Sequence, residues 1–121
     1  MILSKELVSP EQFLGYKLGD RFTFHHKVIN YFKEVSSVSD HVNIINYGET
    51  YEGRPLIIAI ITHPDNKSSI NEIRQNHLIA SGLKDGKMSD QNYAVVWLSY
   101  SVHGNESSST EAAMEKLFSF A

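Results

Sequence analysis

Apolar side chains recur at helical spacing in the first third of the chain. From about residue 24 to residue 36 they occupy every third or fourth position, and Thr23 stands where an N-cap is expected. The apolar positions are Val28, Tyr31, Phe32 and Val35. Residues 9–20 instead mix Gly and Pro with aromatic residues, which favours an ordered arm without regular structure. The pattern predicts one helix preceded by an arm.

Two further helices are indicated by capping-box spacing. Ser69 is followed three residues later by Glu72, which predicts a helix that ends near Ala80. Ser108 and Glu111 repeat the spacing before a strongly helical segment at the end of the chain.

Three apolar runs have the character of β-strands. Residues 42–47 are rich in β-branched side chains, residues 48–54 form a turn, and residues 56–62 are continuously apolar, which predicts a hairpin with a second strand buried on both faces. Residues 93–100 form another apolar run of the buried type. Strands that alternate with helices predict an α/β fold with a partial mixed sheet and flanking helices.

Composition narrows the function. The chain has 121 residues, 41% of them hydrophobic, and a net charge of -3 with scattered basic residues, so we expect one domain and no nucleic-acid partner. The sequence has no cysteine, so a metal ion must be held by His, Asp or Glu. No apolar run approaches the roughly 18 residues that span a bilayer, and no signal peptide is recognisable.

The candidate chemistry follows the third predicted strand. His103 and Glu106 lie between that strand and the last helix, where open α/β sheets place ligands. If Gly104 allows a sharp turn, an imidazole nitrogen and a carboxylate three positions apart can face one point, and both suit zinc. The spacing by itself also fits a loop histidine and a glutamate favoured by the helix dipole.

The surrounding sequence makes the interpretation specific. The segment VWLSYSVHGNESSSTEAAMEKL resembles the zinc-ligand segment of the metallocarboxypeptidase family. Upstream, YGETYEGRPLIIAIIT is similar to the first hairpin of that family, and SPEQFLGYKLGDRFTFHHKVINYF resembles the N-terminal segment of bacterial members. The resemblance extends from about Pro10 to the C-terminus.

This resemblance implies a site that the chain supplies in part. His103 would be the first zinc ligand and Glu106 the second, while the family's third ligand, general-base Glu, substrate-binding Arg and covering Tyr are expected beyond Ala121. Residues 1–121 would be the N-terminal portion of a carboxypeptidase-like catalytic domain, with an arm over about 1–22 and an α/β body over about 23–121. The parent would hydrolyse C-terminal peptide bonds with one zinc ion, and the resemblance favours secretion or a periplasmic location.

Two alternatives to a peptidase remain open. One is a carboxypeptidase-like protein with a degenerate site that serves in binding or has a structural role, and the other is an independent α/β module. For the 121-residue chain alone we expect no peptidase activity, weak zinc binding and self-association through an unpaired sheet edge.

Other local features have structural interpretations. Residues 52–54 are expected to form a structural turn and not an anion-binding site. His25 and His26 point about 100° apart on a helix, so their rings cannot easily share one metal ion. The serines at 107–109 are typical of a helix start and lack a nucleophile motif.

Overall fold

The computed structural model describes residues 6–90 and 93–121, which form two compact units. The first unit comprises the described residues up to 61 together with 99–121, and the second comprises those within 62–98. In chain order the elements are helix α1 (Pro10–Leu14), helix α2 (His25–Val38), strand β1 (Val42–Glu49), strand β2 (Pro55–Ile61), a 3-10 helix (Pro64–Ser69), helix α3 (Ile70–Ala80) and helix α4 (Ser108–Phe120). The α/β class with a partial sheet and flanking helices is confirmed. Over the described residues, no helix has the length and apolar character needed to cross a membrane.

The core of the first unit lies where α2 packs against α4, β1 and the short helix α1. Its buried members are Leu14, Val28, Tyr31, Val35, Val42, Met114 and Leu117. Three of them are positions of the predicted apolar face of α2, which confirms that face. Tyr31 is fully buried, and its hydroxyl donates to the Val8 carbonyl at 3.0 Å. Burial, together with the charge of Glu115, raises the pKa of Tyr31 to about 12.

The last residue of the sequence is part of this packing. Ala121 follows α4, is partly buried and lies against the core. Its carbonyl accepts a hydrogen bond from Ser39 Oγ at 2.9 Å, and its amide donates to the Phe118 carbonyl at 3.4 Å. The end of α4 is therefore held against the end of α2.

The arm contains a helix that the sequence analysis did not predict. Helix α1 begins at Pro10 behind a capping box, in which the Gln12 amide donates to Ser9 Oγ and the Ser9 amide donates to Gln12 Oε1. It ends at Gly15, whose φ of 75° is the left-handed conformation that favours glycine. The Ser-Pro start and the Gly stop were local signals for this helix.

The predicted cap of α2 was wrong by one residue. Phe24 is the N-cap, and no side chain caps the helix. The Thr23 hydroxyl instead lies 2.8 Å from the Tyr16 hydroxyl and donates to the Glu111 carboxylate at 2.6 Å. The Thr23 hydroxyl, which the local sequence predicted to cap α2, is therefore used in a tertiary contact instead.

The predicted hairpin is confirmed, with longer pairing and less burial. Strands β1 and β2 are antiparallel, and Tyr47 is the extra residue of an irregularity between Asn46 and Gly48. Most of β2 is half-buried, and Ile61 is exposed, so the prediction of burial on both faces was wrong. The physical reason is that the hairpin forms a two-stranded sheet, and α2 is the main element packed against it.

The second unit contains the 3-10 helix and α3. The helix predicted to end near Ala80 is confirmed, but the capping box at its start is not, because Ser69 makes no side-chain cap. Ser69 closes the 3-10 helix with φ -100° and ψ 0°, away from the extended conformation that an N-cap residue adopts. Asn76 is buried, donates to Ser89 Oγ at 2.7 Å and accepts from the Ser89 amide at 3.0 Å.

The third predicted strand is absent from the described residues. Residues 93–100 are assigned no strand. Val95, Val96, Trp97 and Leu98 are 62%, 78%, 73% and 53% exposed. A strand requires a hydrogen-bonded neighbour, and the described sheet consists of β1 and β2 alone. The apolar run at residues 93–100 is real, but the pairing of a strand with a neighbour is not specified by local sequence.

The capping box predicted for α4 was also wrong. Ser107 is the N-cap, so Glu111 stands at the fourth helical position rather than the third. Its carboxylate turns away from the helix end and accepts hydrogen bonds from the Gly19 amide at 2.5 Å and from Thr23 Oγ1 at 2.6 Å. Glu111 is consequently 8% exposed.

Candidate metal centre

The loop at residues 101–107 is folded onto the first turn of α4 by hydroxyl groups. The Ser101 amide donates to Ser109 Oγ at 3.0 Å, and the hydroxyls of Ser101 and Thr110 lie 3.2 Å apart. Ser109 Oγ donates in turn to the Glu106 carbonyl at 3.0 Å. Ser101 also adopts a positive φ of 57°, which is uncommon outside glycine. Ser109 thus ties both ends of the loop to the helix, while no serine side chain caps the start of α4.

Within this loop the structure brings the two predicted metal ligands together. His103 Nδ1 lies 3.3 Å from Glu106 Oε2. The Glu106 amide donates to the His103 carbonyl at 3.0 Å, which closes a turn between the two residues. Their side chains are 70% and 65% exposed, so a cation can reach both without any opening of the fold.

The chemistry of this pair fits zinc in part. An imidazole nitrogen and a carboxylate oxygen are both common zinc donors, and a catalytic zinc has three protein ligands. Over residues 6–90 and 93–121, however, no group of three His, Cys, Asp or Glu side chains is placed to hold a metal ion. The pair can therefore bind one side of an ion, and two further coordination positions or more must be filled from elsewhere. The remaining site residues were predicted beyond Ala121, which places them outside the described residues.

A second His–acid pair occurs in the other unit. His63 Nδ1 lies 3.3 Å from Asp65 Oδ2, with side chains 63% and 88% exposed. The same ring nitrogen accepts a hydrogen bond from the Asp65 backbone amide at 3.3 Å, which makes His63 the cap of the 3-10 helix. Its imidazole therefore already has a role in the local backbone structure.

The His25-His26 pair has structural partners rather than a shared ion. His25 Nε2 lies 2.9 Å from the Pro55 carbonyl, and the His26 ring stacks on Phe24 with centroids 5.9 Å apart. Both histidines line a cleft of about 440 Å³ between the start of α2 and the hairpin turn. The two rings are used separately, as the divergent directions of adjacent helical residues predict.

The hairpin turn likewise has the structural role expected from its sequence. Gly53 adopts a φ of 73°, and its amide donates to the Thr50 carbonyl at 2.9 Å. Arg54 Nη2 pairs with Glu52 Oε2 at 2.8 Å, so the guanidinium has a carboxylate partner within its own turn. This pairing supports the turn interpretation over an anion site.

Comparison with known proteins places these features in one family. A family model described as zinc carboxypeptidase matches residues 28–118, which is 91 of the 121 residues. The matched span begins in α2 and includes the hairpin, the loop with His103 and Glu106, and most of α4. No curated protein and no solved structure matches the chain significantly.

Proposed function

The chain belongs to the zinc carboxypeptidase family, and from that premise we propose that His103 and Glu106 are two of the zinc ligands of a peptidase. Family membership implies a zinc cofactor, a peptide substrate and a hydrolytic reaction. The finer proposal is that the parent protein removes C-terminal residues from peptides or proteins. The observation that carries the ligand assignment is the 3.3 Å approach of His103 Nδ1 to Glu106 Oε2 just before α4, inside the matched span.

The roles of the two side chains follow from their chemistry. Zinc, when bound, supplies a Lewis acid and lowers the pKa of a bound water to about 7. His103 contributes a neutral ring nitrogen and Glu106 an ionised carboxylate, because only those forms bind a metal ion. Glu106 occupies a ligand position, so we assign it no role as the general base.

We further propose that residues 1–121 form the front portion of the catalytic domain and are inactive alone. The third ligand, the general base and the substrate-binding Arg would then lie beyond Ala121 in the parent protein. Support comes from the described residues, in which two metal-binding side chains lie together and no third His, Cys, Asp or Glu joins them. Two donors leave half of a tetrahedral site to water, so zinc binding by this chain is expected to be weak. The rival proposal is a degenerate carboxypeptidase-like domain that serves in binding, and a half-site of two ligands is equally compatible with it.

A zinc titration tests the ligand assignment. Calorimetry of the unmodified chain is expected to give weak binding, and both His103→Ala and Glu106→Gln should reduce it further. Peptidase assays with zinc present should show no turnover by this chain. Unchanged zinc binding in both variants would refute the ligand assignment, and tight 1:1 binding by a monomer would show that a third ligand exists in the chain. A parent gene that encodes no further His ligand and no Glu base would favour the degenerate domain.

Self-association is a separate proposal about the same chain. Two features support it: the exposed apolar residues Val95, Val96, Trp97 and Leu98, and the edges of the hairpin, which have no further strand beside them among the described residues. Such surfaces pair with other chains. Light scattering is expected to show a mass above the monomer that falls when Val96→Lys is introduced. Phe22→Lys, at an equally exposed apolar position, serves as the control. A stable monomer at high concentration contradicts the proposal.

Export is proposed on family resemblance. Secretion or a periplasmic location is typical of the relatives that the sequence resembles. Fractionation of cells that express the parent gene tests it, and recovery of the protein only in the cytoplasmic fraction would contradict it.

A further inference from the structure

The most unusual side chain in the first unit is a buried carboxylate. Glu111 is 8% exposed, and glutamate is almost never buried unless it has strong hydrogen-bond partners. Its Oε2 accepts from the Gly19 amide at 2.5 Å, and its Oε1 accepts from Thr23 Oγ1 at 2.6 Å. Both donors are uncharged groups that lie 92 and 88 residues earlier in the chain. Hydrogen bonds to an ionised group are roughly twice as strong as neutral ones, so this contact is a strong link.

The link reaches a well-held part of the arm. Thr23 Oγ1 lies 2.8 Å from the Tyr16 hydroxyl. The face of the Tyr16 ring is covered by two cations, with Arg21 at 4.7 Å and Lys27 at 5.3 Å from its centroid. The arm segment that receives Glu111 is therefore held by its own contacts, and it can act as a support.

On the other side, Glu111 directly follows the residues that hold the metal loop. Ser109 and Thr110 carry the hydroxyls that contact Ser101, and Ser109 also donates to the Glu106 carbonyl. These residues and Glu111 belong to the first turns of one helix. A shift of the helix start would therefore move the groups that define the loop.

We propose that Glu111 is a positioning residue for the His103–Glu106 pair. Its carboxylate anchors the start of α4 to the arm, and the anchored helix holds the loop in the geometry in which the two donors converge. This inference rests on the proposed function, because it assigns Glu111 a role in zinc binding at that site. It predicts that the anchor affects the loop more than it affects the rest of the fold.

The test uses the full 121-residue chain and four variants. Glu111→Ala removes both acceptors, and Thr23→Val removes one donor while leaving α4 unchanged. Glu111→Gln retains an acceptor for Gly19 and gains an amide that can donate to the Thr23 hydroxyl. Glu115→Gln, an exposed glutamate on the same helix, is the matched control for loss of charge.

Two measurements are made where circular dichroism shows each variant folded. Amide exchange without zinc reports the order of residues 101–107, with the amides of α2 as the reference for global opening. Calorimetry reports zinc affinity. We expect Glu111→Ala to speed exchange in the loop but not in α2 and to weaken zinc binding about tenfold, the range typical of residues that support metal ligands. Thr23→Val and Glu111→Gln should each act in the same direction by a smaller factor, because each leaves part of the link in place, and Glu115→Gln should change little.

The outcomes separate the inference from the proposed function. If Glu111→Ala, or Thr23→Val where the alanine variant does not fold, leaves loop exchange and zinc affinity unchanged, the positioning role is overturned. Equal acceleration in the loop and α2 also overturns it, because it shows a general structural role. If His103→Ala does not affect zinc binding, the proposed ligand site fails, and the exchange measurement still decides whether Glu111 orders the loop.

Discussion

Two exposed His–acid pairs among the described residues have the same separation and different surroundings. In both, a histidine Nδ1 lies 3.3 Å from a carboxylate oxygen. In the 63–65 pair the ring nitrogen accepts the amide of Asp65 and caps a 3-10 helix. In the 103–106 pair the amide of Glu106 donates to the His103 backbone carbonyl instead. The backbone is satisfied in the second pair without use of the imidazole.

The difference teaches that the distance between a ring nitrogen and a carboxylate oxygen is, by itself, a poor criterion for a metal site. A ring nitrogen that caps a helix must give up a hydrogen bond before it can bind a cation, and an unmade backbone hydrogen bond is costly. In the loop with His103 and Glu106, the Ser109 hydroxyl accepts from the Ser101 amide and donates to the Glu106 carbonyl. Both side chains there are available to a ligand.

The largest predicted effect is a loss of folding stability at high pH, which sets the pH range in which the two His–acid pairs can be compared. The pKa of Tyr31 is 10.0 in the unfolded chain and about 12 in the fold, so its contribution to stability is complete below pH 10 and is lost as pH rises towards 12. The loss is on the order of 2 kcal/mol. Urea denaturation at about pH 9 and about pH 11.5, on either side of the unfolded pKa, should show a larger decrease for the unmodified chain than for Tyr31→Phe. Equal decreases in the two proteins would contradict the prediction.

Zinc affinity should separate the pairs most directly. His63→Ala is expected to change the zinc Kd by less than about twofold, whereas His103→Ala should raise it by at least about tenfold, because loss of a ligand should cost no less than loss of a residue that supports one. Parallel calorimetric titrations measure the zinc Kd of the two variants below about pH 10, where Tyr31 is protonated in the folded and the unfolded chain. A larger loss of zinc affinity in His63→Ala than in His103→Ala would indicate that the metal site is the His63–Asp65 pair.

Stability should respond in the opposite order. His63→Ala removes a helix cap and is expected to destabilise the second unit by about 1 kcal/mol. His103→Ala removes an exposed side chain that caps no helix, so we expect a change within about 0.5 kcal/mol. Urea denaturation of the two variants, followed by circular dichroism, compares them. A more destabilising His103→Ala would mean that His103 has a structural role.

The smallest effect concerns the hydroxyl that ties the loop to α4. Ser109→Ala removes the acceptor for the Ser101 amide and the donor to the Glu106 carbonyl, so zinc binding should weaken about threefold, which corresponds to the loss of a modest hydrogen bond. Ser119→Ala is a matched control, because the hydroxyl of Ser119 bonds within α4, to the Lys116 carbonyl. The same zinc Kd for both variants would show that the loop keeps its shape without Ser109.

Much of the fold was predictable because it depends on nearby residues. The apolar face of α2, the hairpin and the turn at Glu52-Gly53-Arg54 follow from periodicity and from the backbone freedom of glycine. Helix α1 was missed although Ser9, Pro10 and Gly15 signalled it locally. The prediction of strand structure at 93–100 failed for another reason, since β-structure needs a partner that an apolar run does not specify.

The sequence by itself determined the family, the two candidate ligands and the turn that brings them close, because a His-Gly-Asn-Glu loop before a helix is a local arrangement. Only the tertiary structure decided what Thr23 and Glu111 do. Local pattern assigned each to a helix cap, but the fold places the two side chains 2.6 Å apart across 88 positions of sequence. The physical reason is that a buried carboxylate must find donors, and which donors it meets depends on the path of the whole chain.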